Sequence, residues 1–577
     1  MNRVSVFVRR RRIKQLETWI IRAVIAEAFL LPLSPSLAAV AVIVGIIMWL
    51  VRLRLDARFK LRSLPFDMPA ALFATIGLIS VFCSASLNLE LLRNYCSFVG
   101  IYGLTYILVG QNVRDRQHVK LIALALAASA LVVVLWGYFQ YIFGIDTAEM
   151  KWVDPEKFPE LRKRVFSTLE NPNVLAGYLD VCICLALGLL AKVTGISQRL
   201  AIIIAIVMLA ACLAMTYARG AYLTIIVVFV IYGIIQDWRV LLMFALITAS
   251  ILYYDAAFVD RLLSIFTGAD SSEWLRVGIW ISTVAMIADH PFIGIGWGAF
   301  KSVYPNYDYY LKGADVEIYH AHNIFLHHAA EVGIIGAMAF FWYFFGTMFM
   351  TLELGANKKF VAIKNKIISC IERVSGIEIK RKIIEATDEV KDRYLIENGR
   401  LERLVRMKER TIDRVAEASE RLIDWISLTS GGDRTGEDTV RRISLLKKVP
   451  LRKKISLKKK HGAKFKGKRT AETPTVEDTA DEIKIIDGTK VPDGSTDDQP
   501  NVLDWKEVAE INDRQVTDGV KFGIGLAFMS MALNGLTDNL LFNIPTSMLM
   551  WMLGALGGAI VLLPEKETTQ REKKIQP

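Results

Sequence analysis

The chain has 577 residues, of which 53% are hydrophobic and 22% charged, with 12 Trp, 28 Phe and a mean hydropathy of +0.35. Those averages exclude a single soluble globular domain, a collagen-like fibre and a disulfide-stapled secreted module, and point to a membrane-embedded body diluted by a polar segment. The net charge of +12 is concentrated in residues 441–470, which hold 14 basic residues and no acid, so the remainder is near about −2 and the basic balance marks one tract rather than a nucleic-acid-binding fold.

A bilayer core about 30 Å thick needs roughly 20 apolar residues per helix. Runs of that length predict an all-α integral membrane protein of about twelve transmembrane helices, near 17–33, 36–52, 68–86, 93–111, 120–143, 173–192, 199–217, 221–236, 239–255, 322–351, 519–540 and 546–563. Pro32, Pro35 and the AVA at 39–41 would also suit the end of a signal peptide, but apolar residues continue to Val51 and no soluble domain follows. The run RRRRIK at 9–14, then Arg52, Arg54, Arg58, Lys60 and Arg62, then Arg114, Arg116 and Lys120 all fall on one side if the spans alternate. Basic short loops mark that side as the cytoplasm, which also receives both termini.

Three regions follow: a transmembrane body at 1–356, a polar cytoplasmic insertion at 357–518, and a final pair of helices with a cytoplasmic tail at 519–577. Within the insertion, 357–427 carries Ile, Leu and Val at helical spacing and predicts amphipathic helices. From Thr429 to about Asp513 the composition is that of disorder. The basic block at 441–470 either binds the anionic inner leaflet or is a solvated tether. Two long loops, 144–172 and 256–321, face outward. The six cysteines lie in apolar runs or in the insertion and give neither a disulfide framework nor a zinc spacing.

Short outward loops avoid Lys and Arg, so the basic residues found there need a reason. Arg219, in TYARGAYL, either snorkels to the interface or serves an anion site. Arg276 falls in the second turn of a helix predicted over 271–289, where an amino end favours anions; the alternative is a surface pair with Glu273. Arg162, Lys163 and Arg164 form a third cluster, equally suited to lipid headgroups. Five of seven histidines, His290, His320, His322, His327 and His328, crowd the end of the second outer loop and the start of span 10. Histidine is the side chain best placed for proton transfer near neutral pH. DVEIYHAH, with Asp315, Glu317, His320 and His322, is also a weak metal pattern. His327, His328 and Glu331 can simply be packed and hydrogen-bonded within the membrane. GIGWGAF at 294–300 has no preceding strand and reads as a turn rather than a phosphate loop.

Four segments, in order, resemble the O-antigen ligase and polymerase superfamily. YARGAYL is similar to its R-x-x-x-L element through Arg219 and Leu223. HNIFLHHAAEVGIIG is similar to its H-N…G-x-x-G element through His322, Asn323, Gly333 and Gly336. FSTLENPNVLAGYL, which contains Asn173, and DHPFIGIGWGAF are similar to further stretches of the family. The resemblance covers roughly 20–350 and the last two spans; the insertion departs from it and is a place for regulation or a cytoplasmic partner.

The resemblance implies a GT-C-like membrane glycosyltransferase that takes a glycan from an undecaprenyl-diphosphate carrier at the outer face of the cytoplasmic membrane. It implies metal-independent, inverting transfer with no cofactor, His322 activating an acceptor hydroxyl and Arg219 and Arg276 holding the diphosphate. Arg164, Asn173, Asn323 and Glu331 are the further candidates for substrate binding. The acceptor can be a lipid-linked core (ligase), the growing glycan (polymerase) or a protein; membrane lipids are expected contacts and nucleic acid is not. Outside the enzymes the rival is a secondary transporter, against which stand the lack of an inverted repeat and the gathering of candidate residues on one face.

Overall fold

The structure, a computed structural model, describes residues 3–144, 164–254, 271–308, 317–352 and 505–564. Arg162, Lys163, Asp315 and the insertion from 357 to 504 lie outside them. Every regular element among the described residues is helical. In chain order these are α1 (Arg3–Leu30), α2 (Pro35–Leu55), α3 (Asp67–Cys83), α4 (Leu89–Asn112), α5 (Arg116–Phe143), α6 (Pro172–Lys192), α7 (Ile196–Ala214), α8 (Arg219–Ile235) and α9 (Trp238–Tyr254). Then come α10 (Ser271–Asp289), the single turn α11 (Phe300–Val303), α12 (Ile324–Leu352), α13 (Trp505–Asn534) and α14 (Ile544–Val561). Seven of them are long and apolar enough to cross a membrane, and α3 and α8 are apolar but shorter. The chain is an all-α, multi-pass membrane protein, and each of the twelve expected spans falls on a helix.

Local chemistry sets the boundaries. Pro32 ends α1, the Ser34 hydroxyl accepts from the Leu37 amide, and Pro35 starts α2, which packs back on α1 as a helical hairpin. Asn88, Asp115 and Asn171 cap α4, α5 and α6 in the same way. Two starts depart most from expectation. α1 starts at Arg3, upstream of 17, and α13 at Trp505, upstream of 519, so residues 505–513, whose polar composition suggested irregular chain, are helical. Asp513 pairs with Lys120 at 2.7 Å, and the uncharged Asn512 and Gln515 bond Gln198 and Thr194.

Two backbone devices shape the body. α6 and α13 run antiparallel, and a Cβ on Gly188 would strike the backbone of Gly519 and Gly523. These glycines, four residues apart on α13, let the two backbones touch without a groove between them. The second device is a break in α12 at Gly333 (φ 69°, ψ 176°). Carbonyls freed by the break are taken by the chain that follows α10: Ile295 and Gly296 donate to Ala330 and Glu331 at 2.9 and 3.0 Å. In return the Ile334 amide donates to the Pro291 carbonyl at 2.8 Å. The two sequence elements DHPFIGIGWGAF and G-x-x-G are therefore one interlocked unit. GIGWGAF is a turn, as expected, and its Gly298 and Phe300 amides serve the Glu331 carboxylate.

Candidate functional site

The carboxyl end of α13 builds the centre of the site. After Asn534 the chain turns, the Asp538 amide returning to the Asn534 carbonyl at 3.0 Å. Gly535 accepts from the Ile324 amide at 2.8 Å, which fastens the start of α12 to this turn. Asn323 caps α12, its carbonyl oxygen accepting from the Leu326 amide and its amide donating to the Leu536 carbonyl. Asn323, expected to bind substrate, uses both ends of its side chain to hold α12 against the turn.

His322, with a left-handed φ of 48°, directs Nδ1 at Asp538 Oδ1, 3.1 Å away. A carboxylate only accepts, so Nδ1 carries the hydrogen; in a neutral ring that leaves the lone pair on Nε2, the tautomer a base needs. Non-glycine residues in that backbone region are strained and need support, here supplied from both sides. Asp538 also accepts from Asn173 Nδ2 at 3.2 Å and from the Asn539 amide at 2.8 Å. Burial would raise the Asp538 carboxyl, but the His322 hydrogen bond and the basic surroundings, Arg276 among them, outweigh it and hold it below the ordinary carboxylate range.

His320 is not a second base of the same kind. Its Nδ1 accepts the His322 amide at 3.2 Å, so Nε2 bears the hydrogen. Burial, followed by the neighbouring His322, pushes its imidazole down to about 3, and the ring stays neutral.

The arginines converge from three elements. Arg164, 9% exposed, donates Nε to the Thr216 carbonyl and Nη2 to Asn173 Oδ1, both at 2.8 Å. It was expected to be a third cation on the substrate, and Asn173 a substrate contact. Together they form a bridge that ends on Asp538 and orients it. Arg219 opens α8 just beyond that Thr216 carbonyl, and a Cβ on the next residue, Gly220, would strike Thr537 beside Asp538. Arg276, half-buried in the second turn of α10, acts on both Asp538 and His320 through its charge. Glu331 sits deeper, 3% exposed, with Oε2 3.5 Å from His327 Nε2. His290 is exposed at the end of α10.

Of the acidic half of the suspected metal pattern, Asp315 lies outside the described residues and only Glu317 is placed. Glu317 pairs with Lys301 at 2.8 Å and with the Tyr319 hydroxyl. His320, His322 and Asp538 do bring ligand atoms within 4.8 Å of one another. In the arrangement described, those atoms serve the hydrogen bonds that orient His322.

Asp538 escaped the reading of the sequence, yet the rule that singled out Arg219 would have found it. It is a charge in a short turn, GLTDNLLFNIP, between two apolar spans.

Residues 204–341, which contain Arg219, Arg276, His320, His322 and Glu331, match the family model described as O-antigen ligase. Comparison with curated proteins gives no match. The resemblance to the O-antigen ligase and polymerase superfamily stands on this match, and with it a glycosyltransferase-like enzyme of membrane glycans.

Proposed function

We propose that the protein transfers a glycan from an undecaprenyl-diphosphate carrier to an acceptor hydroxyl at the outer face of the cytoplasmic membrane, with inversion and without metal. The observation that carries this reading is the Asp538–His322 pair within reach of the Arg276 charge, with Arg219 at the start of α8 next to Gly220, which abuts Thr537. His322 Nε2 takes the acceptor proton while the hydroxyl oxygen attacks the anomeric carbon from the face opposite the diphosphate. The bond from that carbon to the phosphate oxygen breaks and the carrier diphosphate leaves. Asp538 stabilises the imidazolium that forms, as a buried carboxylate does in any base held by its far nitrogen. Arg219 and Arg276 meet the charge that develops on the diphosphate, a planar fork suiting paired phosphate oxygens.

The test is transfer by the purified chain from a polyprenyl-diphosphate glycan. His322→Ala should lower turnover by about 10² to 10⁴, the usual worth of a general base. Arg219→Ala and Arg276→Ala should each lose about 10² to 10³, recovered only in part by lysine. Near-normal turnover by folded His322→Ala would remove the mechanism.

A further inference from the structure

Behind the His322 loop lies a cavity of about 530 Å³. It starts at Asn539, next to Asp538, and at Thr168–Glu170 on the Arg164 segment, and runs inward along α3, α4 and α12 to α14. Its polar floor has atoms without a protein partner: Nδ1 of His327, both ring nitrogens of His328 and Oδ1 of Asn539. These residues are 4%, 9% and 3% exposed, so each faces the cavity from a buried position. Burying such groups with nothing to bond is costly, and a polar ligand removes the cost.

The walls say which ligand. Trp297 and Phe542 are aromatic walls beside the polar floor, the kind of surface that takes the C–H face of a sugar ring while its edge hydroxyls are hydrogen-bonded; Trp551 also lines the cavity, with one face stacked on Tyr343 at 4.4 Å. A hydrocarbon tail asks for a different wall. Such a wall exists between α5, α6, α7 and α13, where a cavity of about 450 Å³ is lined mostly by aliphatic side chains, with Lys120, Gln198 and Asn512 among its lining residues and no aromatic one. The volume of the first cavity falls in the range of small-molecule sites, about 300–1,000 Å³.

Charge and position narrow the choice. No lysine or arginine lines the cavity, whereas Glu170 and Glu331 do. An acidic sugar would enter with no cation to meet it. The cavity touches the base side of the site: the His320 ring lies 4.2 Å from that of His322 and 4.7 Å from Phe542. None of Arg164, Arg219 and Arg276 lines it.

We infer that this cavity is the acceptor subsite and that it holds a neutral or amino-sugar ring, His327, His328 and Asn539 reading its hydroxyls. The inference rests on the transferase reading for the word acceptor, and it selects a glycan over a protein as the acceptor.

Binding is measured on the full chain in nanodiscs by saturation-transfer NMR, without turnover. The probes are methyl glucoside, methyl N-acetylglucosaminide and methyl glucuronide. The two uncharged sugars should receive saturation, and the glucuronide should bind at least about tenfold more weakly, the worth of one unmatched buried charge or hydrogen bond. His328→Phe fills the floor, and Asn94→Phe narrows the cavity from a half-buried position on α4 where folding is less at risk. Both, checked for monodispersity, should lose about tenfold or more in binding. Equal binding of the glucuronide, no saturation of any sugar, or full binding by both folded variants overturns the inference. If His322→Ala still turns over and the cavity variants lose the sugar, the transferase reading fails and the sugar site stands.

Discussion

A base held by a carboxylate fails in two distinguishable ways. Removing the imidazole removes the proton acceptor, whereas Asp538→Asn leaves the ring in place but offers Nδ1 a side chain that can also donate, so the tautomer is no longer fixed. Turnover of Asp538→Asn should fall by about 10² or more with acceptor binding nearly unchanged. A fall in binding alone would make Asp538 merely structural. The neighbouring His320 has a signature in acid. Its imidazole, near 6.5 when unfolded, is pushed down to about 3 in the folded chain, so between those values the unfolded state binds the extra proton. The stability this neutral ring contributes is present above about 6.5 and is lost as pH falls towards 3. His320→Gln should therefore flatten the acid side of a thermal-stability profile; an unchanged slope would contradict the burial of a neutral ring. Metal gives a third check. Chelation should leave transfer intact, and added Zn²⁺ should inhibit by drawing His320, His322 and Asp538 away from their hydrogen bonds. Recovery of a chelated enzyme on adding metal would reverse that reading. His322 and Arg276 stood out in the sequence because a charge or an imidazole at a membrane border is costly, and the structure places both about Asp538. The hydrogen bonds of Asn173, Asn323 and Arg164 were not legible, since their partners, Asp538, Leu536 and Thr216, are distant in the chain.

Helices were read from the sequence nearly end to end, since apolar length is a one-dimensional property. What the pattern hides is where a helix breaks or touches another. The apolar run through α12 is continuous, yet Gly333 interrupts it, and the interruption is visible only with the partner chain at Pro291–Gly296. The early start of α13 was hidden for a related reason: charges that pair across a helix bundle look, in sequence, like those of a solvated loop. The glycine contact between α6 and α13 is the most sensitive of these junctions, because it sets how deeply the Asp538 turn sits against Asn173 and α8. Gly523→Leu would push backbone against backbone, with no side-chain end able to yield. Such overpacking costs about 1–3 kcal/mol or more. The variant should lose folded protein in membranes or, where it survives, lose transfer while keeping the His322 loop. Wild-type melting and turnover in Gly523→Leu would show that the contact is not tight.

Across the molecule, polar groups separate to opposite ends. Lys120 with Asp513 and Arg62 with the Gly110 and Val113 carbonyls mark one end, while His322, Asp538 and Arg164 mark the other. On α13 the residues from Asp513 to Asn534 rise about 32 Å, close to a bilayer core. If the basic loops are inside, as the proposed function requires, the His322 end faces out. A cysteine at position 310 should react with an impermeant reagent from outside, and one at 460 only after permeabilisation; the reverse labelling would put the site on the wrong side for a lipid-linked donor.

His322 and Asp538, 216 residues apart in the chain, have a meaning in time as well as in space. A ribosome adding about 5–20 residues per second completes the histidine and then takes about 10–40 s to reach the aspartate. Throughout that interval His322 has been made and the carboxylate that sets its tautomer has not. On the proposed mechanism, only arrival of the last helical pair completes the site, so a half-made chain lacks an oriented base and reactivity begins when synthesis is almost over.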